Sequence, residues 1–376
     1  MPPLLAFPAV ALATARSALV YRSFGSSSVS RRFGHSLVVQ PTRPRSLSAA
    51  VLESTKGTRD TAILFPGQGS QHVGMAADIY RDFPVAKNLI DECDDILGGG
   101  LREIMFNGPS DELKSTMNAQ PAILCHSIAI LNVLEHYFGF DISTCRYALG
   151  HSLGEYSALV ATGALELKDA LKLVRLRGIA MQSCVRGAET SMRAIVVSPD
   201  HLADIEQEIL GLQKSMPKGE VAQIANINSR SQIVLSGTTS GVEYAGMVVH
   251  KKGFAGRSLE LPVSAPFHCS LMSPAAIVME PALESSSFQQ PIIDVISNVT
   301  AKPYESPADI VRLLKGQITQ TVQWERSLRH AKEHSNVSKW IVIGPLRVLS
   351  NLLRKDFPND SIRPVWTSEE IKAWGQ

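Results

Sequence analysis

Short apolar runs alternate with helical stretches along most of the 376-residue chain. Thr61-Ala62-Ile63-Leu64-Phe65 has strand length and continuous apolarity, and it breaks into the turn-rich loop Pro66-Gly67-Gln68-Gly69-Ser70-Gln71. Helical spacing follows at Ala86 to Ile96 and at Ala122 to His136, separated by Gly98-Gly99-Gly100. Cys145 to Leu149 reads as a second buried strand, and Glu155 to Ala161 and Leu167 to Met181 read as helices. Unbroken apolar strands alternating with helices predict an α/β fold around a mostly parallel sheet.

The middle of the chain changes rhythm. Arg193 to Val197 reads as strand, His201 to Leu210 as helix, and Ala222 to Ile227 and Gln232 to Ser236 as strands. A helix from Val242 to Lys251 and a strand from Arg257 to Leu261 complete a β-α-β-β-α-β order, the ferredoxin-like split motif. Residues 187–259 therefore read as a small inserted subdomain. The large domain, residues 60–186 and 260–372, resumes with a helix near Pro274 to Glu284 and a strand from Ile292 to Ser297. A helix from Asp309 to Gln317 and a strand from Trp340 to Ile343 follow.

Composition changes this picture chiefly at the N-terminus. Residues 1–52 hold six arginines, nine serines, no lysine and no acidic residue. That pattern predicts an organelle transit peptide, and the arginine content favours the mitochondrial matrix over a plastid. A secretory signal fits less well, because no charge precedes the apolar Leu4 to Ala15 run and Pro8 interrupts it; an untargeted tail is the plainer alternative. The whole chain carries 37 basic and 35 acidic residues, so removing the six arginines leaves 31 against 35, a net charge near −4. A basic balance confined to the precursor is no argument for nucleic-acid binding. No run of eighteen apolar residues occurs, so no membrane span is expected. Five scattered cysteines without a C-x-x-C predict neither disulfide nor zinc framework; Cys269 reads as a packing residue that could be oxidation-sensitive.

Chemistry concentrates at Gly150-His151-Ser152-Leu153-Gly154. Strand, G-x-S-x-G and helix make a nucleophile elbow, a turn too sharp for large residues that leaves the serine hydroxyl standing clear of the backbone. The Leu153 amide then sits at a helix N-terminus, where an unpaired N–H can receive an oxyanion. A nucleophilic serine needs a base. Of ten histidines, His268 stands out, on a loop between a strand and a helix, whereas His151 should point away from its neighbour Ser152. Arg177 has only apolar helical neighbours: Leu173, Val174, Ala180 and Met181. An inward guanidinium requires a partner, either an internal acid or a substrate carboxylate.

These residues together resemble the malonyl-CoA:acyl carrier protein transacylases. The likeness rests on Phe65 to Gln71, Gly150 to Tyr156, Arg177-Gly178 and Phe267-His268. Asn226 to Ser229, Gln232 to Gly237, Ile296 to Asn298 and Val322 to Trp324 add to it, so that it covers residues 60 to 355. The resemblance implies an α/β-hydrolase-like large domain with the ferredoxin-like insert. It implies Ser152 as nucleophile, His268 as base, and the Gln68 and Leu153 amides as oxyanion hole. Arg177 would bind the malonyl carboxylate, beside Phe267, and the main-chain carbonyl of Gln317 would orient His268. The implied partners are malonyl-CoA and acyl carrier protein, with no metal or other cofactor, and a monomer is expected.

Two departures from the family stand out: Leu346 where a glycine usually follows Gly344-Pro345, and a glycine-poor loop at 187–192. A serine esterase or thioesterase would share the elbow, but needs neither Arg177 nor the Gln68 loop. A transferase of other acyl groups is disfavoured by the same arginine, and by the bulk of Phe267. A non-catalytic module is at odds with the intact serine, histidine and arginine.

Overall fold

The computed structural model describes residues 59–185 and 189–376; the arginine- and serine-rich segment 1–52 lies outside them, as do Gly187 and Ala188 of the glycine-poor loop. The described strands are β1 (Thr61–Phe65), β2 (Tyr147–Gly150), β3 (Thr190–Val197), β4 (Ala222–Ser229) and β5 (Gln232–Thr238). They continue with β6 (Ala255–Glu260), β7 (Asp294–Ile296), β8 (Lys339–Ile343) and β9 (Ser361–Val365). Five of them form one sheet in the order β7-β2-β1-β8-β9, with every pairing parallel.

Alternation along β1 divides the core. Ile63 and Phe65 face one set of helices, while Ala62 and Leu64 face the other side with Trp324, Leu328 and Trp340. Both faces are covered, which is why the strand reads as an unbroken apolar run. The Thr116–Phe138 helix is long and apolar enough to cross a membrane, yet it is the core helix of this fold, and residues from Ala122 to Leu131 are buried. Its apolarity is consumed by packing. A run count misses it because Gln120, His126 and Ser127 interrupt the apolar residues.

The middle segment forms a separate antiparallel sheet in the order β4-β5-β3-β6. Helices Leu202–Ser215 and Thr239–Lys251 cover one face, packing Ile205, Ile209, Val242 and Val249 on Ile195, Ile233 and Leu235. Because side chains alternate, Met192, Ala194, Gln232 and Val234 point the other way and line a cavity.

Within the parallel sheet, three strands differ from the sequence expectation by more than one residue. The strand expected at Cys145 to Leu149 begins at Tyr147, because Ile142–Thr144 first forms a helical turn capped by Asp141. The strand expected over Ile292 to Ser297 shortens to three residues. β9 was not foreseen, since Pro364 and charged Arg363 disguise it; as the edge strand it tolerates a proline that an inner strand would not.

Candidate active site

The parallel sheet assembles the site from adjacent strand ends. Phe65 of β1 lies in register with Gly150 of β2, so their following loops emerge side by side, joined by His151 N–H donating to the Phe65 carbonyl at 3.0 Å. On the other side of β2, β7 leads into Ser297-Asn298. Ser152 sits at φ 52°, the strained conformation of an elbow. Asn298 holds it there: its Oδ1 accepts from the Ser152 amide at 2.7 Å and its Nδ2 donates to the Gly150 carbonyl at 2.7 Å. The flanking glycines are required by close approach. A Cβ on Gly150 would stand 1.9 Å from the Gly154 carbonyl carbon, and one on Gly154 would stand 2.2 Å from the Phe65 oxygen. Among the described residues, neither the Gln68 nor the Leu153 amide donates to another protein group. Those N–H groups stand free beside the serine's turn, as an oxyanion hole requires.

Ser152 Oγ lies 2.7 Å from His268 Nε2, and His268 Nδ1 lies 2.7 Å from the main-chain carbonyl of Gln317. A carbonyl only accepts, so Nδ1 carries the ring hydrogen and Nε2 is left to accept from the serine. Burial, the nearby Arg177 cation and His151 push the His268 pKa down to about 3, which keeps the imidazole neutral. Arg177, on the Leu167–Ser183 helix, is 1 % exposed among the apolar neighbours its spacing indicated. Nη1 donates to Gln120 Oε1 at 2.9 Å; Nη2 donates to Gln317 Oε1 at 2.7 Å and to Ser152 Oγ at 3.2 Å. It makes no ion pair among the described residues, and its buried Nε has no partner there. The internal salt bridge is therefore not what the arginine serves.

His151 turns away, with Nε2 2.9 Å from Asn228 Oδ1 and its ring edge-on to Trp324. Cys269 is buried, its thiol donating to the Pro266 carbonyl, and burial raises its pKa, which fits packing better than reactivity. Phe267 lines the cavity beside Ser152 and His268, a space of about 490 Å³ closed on the far side by the antiparallel sheet. Arg175, two residues before Arg177, is half-buried and donates to Asn118 Oδ1. Sequence reading assigned no role to Glu155, Tyr304 or Gln120, and met Asn298 only within a motif. The available signal was a lone acid and a lone amide inside otherwise apolar helical runs. At Leu346 the chain adopts φ 61°, the left-handed region a glycine would occupy without strain.

A serine–histidine pair beside two unengaged amides, with a buried arginine that has no ion-pair partner among the described residues, is an arrangement suited to acyl transfer. Residues 63–353 match the acyl transferase domain. A malonyl CoA-acyl carrier protein transacylase of Bacillus subtilis is 42% identical over 295 residues, 78% of this chain and 89% of that protein. The acyl-carrier-protein S-malonyltransferase of Bartonella henselae superposes with a TM-score of 0.77 at 39% identity, covering 83% of this chain and 97% of that one. A malonyl-transacylase solved in complex with its type II polyketide-synthase acyl-carrier protein gives a TM-score of 0.77 at 35% identity, covering 84% and 98%. The chain belongs to the acyl transferase family, among its malonyl CoA-acyl carrier protein transacylases.

Proposed function

We propose that this protein moves the malonyl group from malonyl-CoA to the phosphopantetheine thiol of acyl carrier protein, supplying fatty acid synthesis. The observation that carries the reading is Arg177: a buried guanidinium without a carboxylate contact among the described residues, one nitrogen of which reaches the nucleophile's oxygen. A free carboxylate on the acyl group would give the guanidinium a direct ionic contact, and the unpartnered Nε a further donor for it.

In this mechanism His268 Nε2 takes the Ser152 proton as Oγ attacks the thioester carbon. The oxyanion is held by the Gln68 and Leu153 amides, a contribution of roughly 3–4 kcal/mol per donor. Collapse breaks the C–S bond, and the departing CoA sulfur takes the proton from His268. The carrier thiol then gives its proton to His268 and attacks the malonyl-serine ester, and Ser152 leaves with that proton. Acid and base work alternate on one imidazole, which Gln317 holds in the required tautomer, so a dyad suffices. No metal or redox cofactor enters this scheme.

The finer architecture follows the same reading. The large unit is α/β-hydrolase-like, and the β3-to-β6 insert is ferredoxin-like, supported by its β-α-β-β-α-β order and the strand order β4-β5-β3-β6. Residues 1–52 are proposed as a transit peptide to the mitochondrial matrix on composition. A reporter fused behind them should enter mitochondria; retention in the cytosol, or native protein starting at Met1, would oppose that. A monomer is expected, and sedimentation checks it. The function itself is tested by mixing the enzyme with malonyl-CoA and phosphopantetheinylated carrier protein. Malonyl-carrier should form and depend on Arg177, and equal transfer of acetyl and malonyl groups would sink the reading.

A further inference from the structure

Behind the nucleophile lies a carboxylate that the mechanism does not use. Glu155 opens the Gly154–Ala161 helix and is fully buried. Its Oε1 accepts from the Asn298 amide at 3.1 Å and from the Tyr304 hydroxyl; its Oε2 accepts from Gln317 Nε2 at 2.6 Å. Every contact is a donor, which favours the ionised carboxylate, while burial opposes it and pushes the Glu155 pKa up to about 7. Gln317 faces both ways. Its Oε1 accepts from Arg177 Nη2, while its Nε2 donates to Glu155 and, at 2.8 Å, to the Ser152 carbonyl. An arginine only donates and a carboxylate only accepts, so the carboxamide between them has one permitted orientation.

We propose that Glu155 is a positioning residue: its carboxylate, together with the Ser152 carbonyl, fixes the direction of the Arg177–Gln317–Glu155 hydrogen-bond chain and so aims the guanidinium at the acyl group. The inference rests on the transacylase reading above. The same glutamine offers its main-chain carbonyl to His268, so the chain joins the arginine and the base through one residue. When ionised, Glu155 also supplies negative charge near the buried cation without touching it. A direct ion pair would compete with the substrate carboxylate; a neutral amide in between leaves Arg177 available.

Glu155→Gln tests this, because it changes charge and keeps shape. The Asn298 N–H must still donate, so the new amide oxygen stays on that side and its NH2 turns to Gln317. Two NH2 groups then oppose each other, so Gln317 either swings off this contact, straining its bonds to Arg177 and the Ser152 carbonyl, or flips and turns its NH2 toward Arg177; both disturb the guanidinium. The expected result is a fall in malonyl over acetyl selectivity of roughly ten- to hundredfold, read as a raised KM for malonyl-CoA with acetyl kinetics nearly held. Gln317→Leu breaks the same chain at its middle and keeps the carbonyl that holds His268, so it should lower the same ratio. An unchanged ratio in either folded variant, or equal losses for both thioesters with a lowered Tm, overturns the proposal. The unaltered enzyme serves as control: if it transfers no malonyl group, the transacylase reading fails instead of the positioning role.

Discussion

Around Ser152 a connected set of polar groups is tied together: Asn298 grips both sides of the strained turn, Gln317 joins arginine, glutamate and serine backbone, and His268 is held at both nitrogens. Across the cavity the antiparallel sheet presents fewer polar groups to the site. Asn228 reaches His151, Asn228 and Gln232 bond to each other, and β4 is pinned along its edge by Val322, Thr321 and Ser270; toward the cavity itself, Met192, Ala194, Val234 and Leu259 present plain apolar surface. The contrast separates two tasks. Charge recognition and proton transfer need groups fixed to within a fraction of an ångström, which a buried network supplies. The body of a thioester needs only a wall.

Substitutions on the two sides should therefore differ in kind. His268→Gln removes the base from the tied side and should slow acylation and transfer alike, by up to roughly 10⁴-fold. Near-native rates would assign the base elsewhere. The same variant has a pH signature. In the unfolded chain the imidazole titrates near its usual 6.5, whereas in the fold it is held down to about 3. The unfolded state alone binds a proton between those values, so native stability falls as pH drops through that window. His268→Gln lacks this loss, and its Tm should gain on the native protein's between pH 7 and pH 4.

Arg177→Ala should lose malonyl-CoA far more than acetyl-CoA, by roughly several hundred-fold in kcat/KM, since cutting one partner of a buried charged pair costs about 3–5 kcal/mol. Lysine should restore only part, because a point charge cannot reproduce the fork. Parallel losses for both thioesters would remove the arginine from substrate binding. Asn228→Ala probes the antiparallel sheet. It leaves the His151 ring nitrogen unpaired, so stability should drop by about 1–3 kcal/mol while selectivity stays put. A selectivity change there would erase the distinction between network and wall.

The smallest effect is expected at Leu346, outside both. A left-handed leucine costs roughly 1–2 kcal/mol, and glycine returns about half of that as unfolded-state entropy. Leu346→Gly should thus raise Tm by a degree or two, with activity unchanged. A fall would mean that the side chain's packing outweighs its backbone strain.

The same contrast governs what could be read from the chain. Ser152 and its glycines were legible because a tight turn imposes residue types on adjacent positions. Arg177 was legible because helical spacing exposes a charge among Leu173, Val174, Ala180 and Met181. The antiparallel sheet was legible through strand alternation. Glu155, Tyr304 and Gln120 were not, since their partners lie 57 to 162 positions away and no local pattern marks such pairing. β9 escaped because an edge strand buries little and carries Pro364.

The central claim is that Ser152 carries the malonyl group between the two thiols. Intact-mass spectrometry after mixing the enzyme with malonyl-CoA, without acceptor, tests it most directly. One malonyl group should appear, map to Ser152, leave when the phosphopantetheinylated carrier is added, and be absent from folded Ser152→Ala. An adduct that persists in that variant, or that maps to Cys184 or Cys269, would contradict the account.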